Sequence, residues 1–168
     1  MIFLGIDNSL SGALAAINHK GEYIDACTMP ITHDSSGLEV VDLEQIEEYI
    51  IMCAGIEGQD YMDTVICLER PCFFTKGKNA MRVMWHCFGR IEGKYENGQY
   101  PFYTVTAQMW QNKLFSSKAP AKESKILAEK KVIEMYGRKF GMNKKEQGAK
   151  HDALLIANYI RLEFEKAK

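Results

Sequence analysis

The first 29 residues carry three apolar runs joined by turns too short to cross over a sheet. Residues 1–7, 13–17 and 22–29 are separated by turns at Ser11-Gly12 and at His19-Lys20-Gly21. Parallel neighbours need a crossover of about a dozen residues or more, so these runs predict three consecutive strands of an antiparallel meander. The rest of the chain has to pack on that ribbon. Residues 30–37, with His33, Asp34, Ser35 and Ser36, read as a loop.

Beyond the loop, Leu43, Ile46, Ile50, Cys53 and Ala54 recur at helical spacing, with Asp42 placed to cap the start. Residues 64–68 form an apolar strand that Glu69-Arg70-Pro71 brings to an end, because proline cannot continue the ladder. Met81, Met84, Trp85, Phe88, Ile91 and Tyr95 predict a second amphipathic helix, which leaves Asn79, Arg82, His86 and Arg90 along another face. A strand over 101–105, a short helix to Leu114 capped by Thr106, and helices over 121–136 and 149–165 complete the reading, with a basic, glycine-containing loop between the last two. Strands four and five are each separated by helices long enough for crossovers. The expected layout is therefore an α/β sandwich on a mixed sheet. At 168 residues the chain is long enough for one domain, spanning 1–168, and too short for two of ordinary size.

No run approaches the roughly 20 apolar residues of a membrane span, and MIFLGIDNSL lacks the basic start and long apolar core of a signal peptide. The expectation is a cytoplasmic protein with no membrane partner. Five cysteines (Cys27, Cys53, Cys67, Cys72 and Cys87) include no CxxC pair and no zinc spacing, so they are expected to be reduced and buried.

The charge is unevenly divided. Residues 1–69 hold 13 acids against Lys20 alone, a balance of −12, whereas residues 70–168 balance at +11. Ten Lys/Arg fall within 113–145 against Glu123, Glu129 and Glu134. This stretch is either a surface for phosphates or a solvated helical face.

Three carboxylates interrupt apolar surroundings: Asp7 and Glu69 at strand ends, and Asp152 in what the pattern makes the first turn of the last helix. Asp152 shares a helix face with Leu155, Ile156 and Tyr159, so the face that packs on the sheet also carries an acid. Singly, each has an ordinary explanation in a turn cap, a pair with Arg70 or the helix dipole. Together, if the two strands are neighbours and the helix crosses them, the acids converge and need a cation. Hard oxygen donors without a Cys or His cluster favour Mg²⁺ or Mn²⁺.

At these residues the sequence resembles a known family. FLGIDNSLSGALAAI, VICLERP and KHDALLIANYIR are similar, in that order, to the metal-binding segments of RuvC-type Holliday-junction resolvases, within the ribonuclease H-like nuclease superfamily. KGKNAMRVMWHCFGRIEGKY and TVTAQMWQNKLF resemble further segments of the phage-encoded branch. The resemblance implies a ribonuclease H-like mixed five-stranded sheet flanked by helices. It also implies a homodimeric endonuclease that cuts four-way DNA junctions with two Mg²⁺ or Mn²⁺ ions held by Asp7, Glu69 and Asp152, Asp7 bridging both. The family usually carries a fourth ligand three to five residues before the last Asp, where this chain has Ala149, Gly148 and Gln147. Nearby alternatives are His151 and Glu146. For DNA contact the candidates are Lys76, Lys78 and Arg82 beside Glu69, with Phe73 and Phe74 as loop aromatics for stacking, and Lys118, Lys122 and Lys125 as further phosphate contacts. The same fold acting on an RNA–DNA hybrid or a flap, or holding junctions without cutting them, stays open. A sugar-kinase phosphate loop at GIDNSLSG would need a second related domain that this length does not supply.

Overall fold

In a computed structural model, the described residues are 1–72, 77–115 and 123–166. Five strands form one mixed sheet in the order β3(Tyr23–Thr28), β2(Ala13–Asn18), β1(Ile2–Asp7), β6(Thr64–Glu69), β7(Phe102–Val105). The first three are antiparallel, and β6 and β7 extend the sheet in parallel from β1. This is the mixed sheet the connection lengths predicted.

Alternation along the central strands sorts side chains into two cores. Ile2, Leu4 and Ile6 of β1, with Ile66 and Leu68 of β6, face α1(Leu43–Glu57) and α2(Lys78–Tyr95). Phe3 of β1 and Val65 and Cys67 of β6 face the other way, toward α3(Ala107–Phe115), α4(Ser124–Tyr136) and α5(Lys144–Lys166). By the same period of two, Gly5, Asp7 and Glu69 continue the α5 side. The result is a sheet covered by helices on both faces.

α5 lies directly on β1, and Gly5 is the reason it can. A Cβ at position 5 would stand 2.0 Å from the Ala153 carbonyl oxygen and 2.5 Å from the Ala157 nitrogen. Ala149, Ala153 and Ala157, four residues apart, give α5 a shallow stripe along its buried face. Only the pairing of no side chain on the strand with methyls on the helix permits this approach.

Several local expectations need correction. Residues 30–37 are not simply a loop: β4(Ile31–His33) and β5(Glu39–Val41) form a small hairpin. Its turn is closed by the Asp34 carboxylate, which accepts from the Ser36 and Leu38 nitrogens at 2.8 and 3.0 Å. Each strand has only three residues, β4 exposed throughout and β5 burying the consecutive Val40 and Val41, so there is no alternation to read. α5 begins at Lys144, five residues earlier than expected, with Asn143 accepting from the Lys145 and Glu146 nitrogens at its start. Gly148 sits mid-helix and disguises that turn as loop. Asp152 is consequently in the third turn, out of reach of the N-terminal dipole that offered it an ordinary explanation. Asp42 and Thr106 cap α1 and α3 as expected. All five cysteines are free, but Cys27 is half-buried and Cys72 exposed. No helix among the described residues is long and apolar enough to cross a membrane.

Gly5→Ala is expected to destabilise the fold by about 3 kcal/mol, since the added methyl meets backbone that cannot rotate away. Urea unfolding should show a lower midpoint with an unchanged slope.

Candidate active site

β1, β6 and β7 are parallel, so their C-terminal ends share one edge of the sheet. Ile6 is in register with Leu68, which sets the next residues, Asp7 and Glu69, side by side. α5 brings the third acid: Asp152 precedes Ala153, whose carbonyl faces Gly5 two residues back along the strand from Asp7. Three carboxyl groups distant in sequence therefore converge at the sheet edge.

Their electrostatics record the convergence. Burial and the charges of Asp7 and Asp152 push the Glu69 carboxyl far above the usual range. Burial, then Asp7, raise Asp152 to about 8. Burial raises Asp7 as well, with the Lys125 ammonium working in the opposite direction. The neutral forms are favoured because like charges crowd a poorly hydrated place. Among the described residues, no three His, Cys, Asp or Glu side chains yet stand close enough to clasp an ion. The acids face one another at the range of electrostatic coupling, not of shared coordination.

The surroundings hold them in place. Trp110, fully buried on α3, donates its indole N–H to Glu69 Oε1 at 3.1 Å. Asn8, next to Asp7 and 1% exposed, donates to the Met84 carbonyl at 3.2 Å, while its Oδ1 has no hydrogen-bond partner among the described residues. Asn8 and Glu69 line a groove of about 630 Å³ whose walls include Arg70, Trp85 and Phe88. Neither Trp110 nor Asn8 was singled out from sequence; the adjacency of Asn8 to Asp7 was the available signal, whereas the Trp110 contact spans 41 residues.

The other candidates fall in different places. His151 is buried, and its Nε2 accepts the Phe140 backbone N–H at 3.3 Å, so its ring belongs to the packing around Phe140 and not to the acids. Glu146 is ion-paired with Lys150 at 2.8 Å and accepts from the Met142 nitrogen. Lys78 is exposed at the start of α2. Arg82 lines a separate groove with His86 and the β4–β5 hairpin. Lys125, on the first turn of α4, leans toward the acids, its Nζ 3.9 Å from where a Cβ on Gly148 would stand. Phe73, Phe74, Lys76, Lys118 and Lys122 lie outside the described residues. Elsewhere in the basic stretch, Lys113, Lys131 and Lys139 pair with Glu163, Glu134 and Glu129, and Arg138 lies over the Tyr23 and Phe140 rings. Much of that stretch is a solvated, ion-paired face, with pairs worth at most about 1 kcal/mol each.

Neither a protein-family model nor a curated protein sequence matches the chain. Solved structures do. RuvC of T. thermophilus in complex with Holliday junction substrate is similar at 16% identity, over 97% of this chain and 96% of that one, with a TM-score of 0.56. A second Thermus thermophilus RuvC structure is similar at 17% identity, over 97% of both chains, with the same TM-score. At such identity the likeness speaks for the fold, which is RuvC-like and of the ribonuclease H type.

The raised acids make a stability prediction for chelator-treated protein. A carboxyl whose folded pKa lies above its unfolded value of about 4 binds more protons when folded, so its contribution is full at low pH and is lost as pH rises toward 8. Burial lowers the His151 pKa, which has the opposite pH dependence, so the difference between variant and parent is the proper measure. Asp152→Asn should raise the melting temperature at pH 8 by several degrees, at roughly 2–4 °C per kcal/mol for a chain of this size, and leave it nearly unchanged at pH 4.

Proposed function

We propose that this protein is a divalent-metal-dependent endonuclease that cleaves branched DNA, four-way junctions above all. The observation that carries this reading is the meeting of Asp7, Glu69 and Asp152 at the shared end of parallel strands, beside an open groove. Three crowded anions with only hard oxygen donors suit Mg²⁺ or Mn²⁺ and nothing softer. Asp7, Glu69 and Asp152 would hold the metal, their carboxylates swinging inward to do so. When bound, the metal lowers the pKa of water and offsets charge on a phosphate oxygen.

The reaction is hydrolysis. A water oxygen bonds to phosphorus, the P–O3′ bond breaks, the water loses one proton and the departing O3′ gains one, leaving a 5′-phosphate and a 3′-hydroxyl. The protein's part is positioning. Trp110 holds one Glu69 oxygen, which fixes the direction of the other. Asn8 offers an acceptor at the groove floor. Lys78 and Arg82 supply positive charge on α2 for the phosphate backbone, alongside Lys76, Lys118 and Lys122, and Phe73 and Phe74 would stack on unpaired bases.

A four-way junction presents two symmetry-related strands to be cut, which suits a two-fold pair of this chain and supports a homodimer. The structural neighbour that holds a Holliday junction supports the same substrate class. The phage-encoded branch, and a role in recombination or repair in the cytoplasm, rest on the sequence segments quoted above. A second reading, a protein that binds junctions without cutting, draws support from the shortage of metal donors around Asp152.

Incubation of four-way junction, flap and RNA–DNA hybrid with Mg²⁺ or Mn²⁺ separates these readings. The junction should be cut fastest, and only with metal. Asp7→Asn and Glu69→Gln should abolish cutting while junction binding persists, and Trp110→Phe should slow it by roughly 10–100-fold, the usual cost of removing a partner that orients a metal ligand. Tight binding without products at any metal concentration would favour the second reading. Because the acids must lose protons to bind metal, cutting at limiting Mg²⁺ should rise between pH 6 and about 8.

A further inference from the structure

We propose that the groove beside Glu69 seats one unpaired base of the strand to be cut, and that Asn8 selects that base by accepting a hydrogen bond from its exocyclic amino group. This rests on the nuclease reading above and asks which bases flank the phosphate that is cut.

Asn8 follows Asp7 directly, so the period of two that turns Asp7 toward α5 turns its neighbour toward α2. There the Asn8 amide nitrogen donates to the Met84 carbonyl at 3.2 Å. That bond settles which end of the amide is engaged. Oδ1 is left buried and without a hydrogen-bond partner among the described residues, on a side chain that is 1% exposed. A buried acceptor with no donor is unfavourable, and the fold keeps this one at the floor of a groove.

The groove has the build of a base pocket. Its volume is about 630 Å³, and Met84, Trp85 and Phe88 give it an apolar wall in which the Trp85 and Phe88 rings meet edge to face with centroids 5.6 Å apart. Sites for flat aromatic ligands are lined in this way, with a few polar groups to set orientation. Met84 is unbranched, so it is the lining side chain suited to give way as a base reaches the floor. Glu69 stands in the groove wall as well as among the acids, so the base belongs to a nucleotide next to the phosphate that the metal would hold. A base at the exchange point of a junction has lost part of its stacking, and withdrawing it costs less than from a continuous duplex.

The chemistry of Asn8 decides which base is taken. With its nitrogen committed to Met84, it presents an acceptor and no donor. Adenine and cytosine carry an amino group at the position where guanine and thymine carry an oxygen. The first two satisfy Oδ1. The other two set acceptor against acceptor.

Immobile four-way junctions that differ only at the nucleotides flanking the cut supply the test with the full chain. Adenine is compared with unsubstituted purine, and cytosine with 2-pyrimidinone, which lack the amino group alone. At one flanking position its removal should weaken junction affinity, read by fluorescence anisotropy in EDTA, and slow cutting in Mg²⁺, each on the order of 10-fold. Thymine and guanine there should behave like the trimmed bases. Asn8→Leu should bring these ratios close to one, with its melting temperature measured alongside; a purely structural Asn8 would move the melting temperature and leave the ratios as they are. Equal affinity and equal cutting across all the bases at every flanking position would overturn the proposal, assign Oδ1 to water, and leave the nuclease reading intact. Affinity that depends on the amino group, with no products at any metal concentration, would overturn the nuclease reading alone. Neither dependence nor products would overturn both.

Discussion

The close seating of α5 on β1 is the contact on which the molecule depends. Gly5 removes the side chain that would hold the two backbones apart, and Ala153 and Ala157 keep the facing helix shallow. That approach closes the core between Phe3, Ile156 and Ile160, and it places Asp152 beside Asp7. Stability and the candidate chemistry thus share one interface. The helix that buries the most central strand also carries a group that burial disfavours. Folding tolerates that conflict because the acids take up protons, and a metal would resolve it differently, by supplying opposite charge.

The electrostatic layout is more local than the division of charge along the chain suggests. Acids dominate residues 1–69 and bases the remainder, yet among the described residues of 113–145 much of the basic excess is paired off locally. Lys113, Lys131 and Lys139 are matched with glutamates on neighbouring helical surface, and Arg138 rests on aromatic rings. Among the described residues, Lys125 is the member of that stretch whose charge reaches Asp7 and Asp152.

How much of this was legible in the sequence follows from the range of each signal. The antiparallel meander was readable because turn length alone forbids the alternative, and the parallel addition of β6 and β7 because the intervening helices permit crossovers. Asp7, Glu69 and Asp152 were readable as acids ending or interrupting apolar patterns, and strict alternation places the first two on the face that α5 covers. The β4–β5 hairpin was not readable, since its strands are three residues each, β4 exposed and β5 burying two consecutive valines, so neither shows a period. The start of α5 was hidden by Gly148, and with it the depth of Asp152 in the helix. His151 and Glu146 looked eligible by proximity in sequence, but Phe140 and Lys150, which occupy them, are contacts that spacing does not specify. Trp110 escaped notice for the same reason, its partner Glu69 being brought near by tertiary packing.

The small residues along α5 act as a spacer of fixed thickness. Methyl groups at 149, 153 and 157 set how far the helix axis stands off the sheet, and therefore the gap between the Asp152 carboxylate and its two counterparts on the strands. One carbon added at position 153 would push the helix off the strand and carry Asp152 away from the acid whose charge helps to raise its carboxyl.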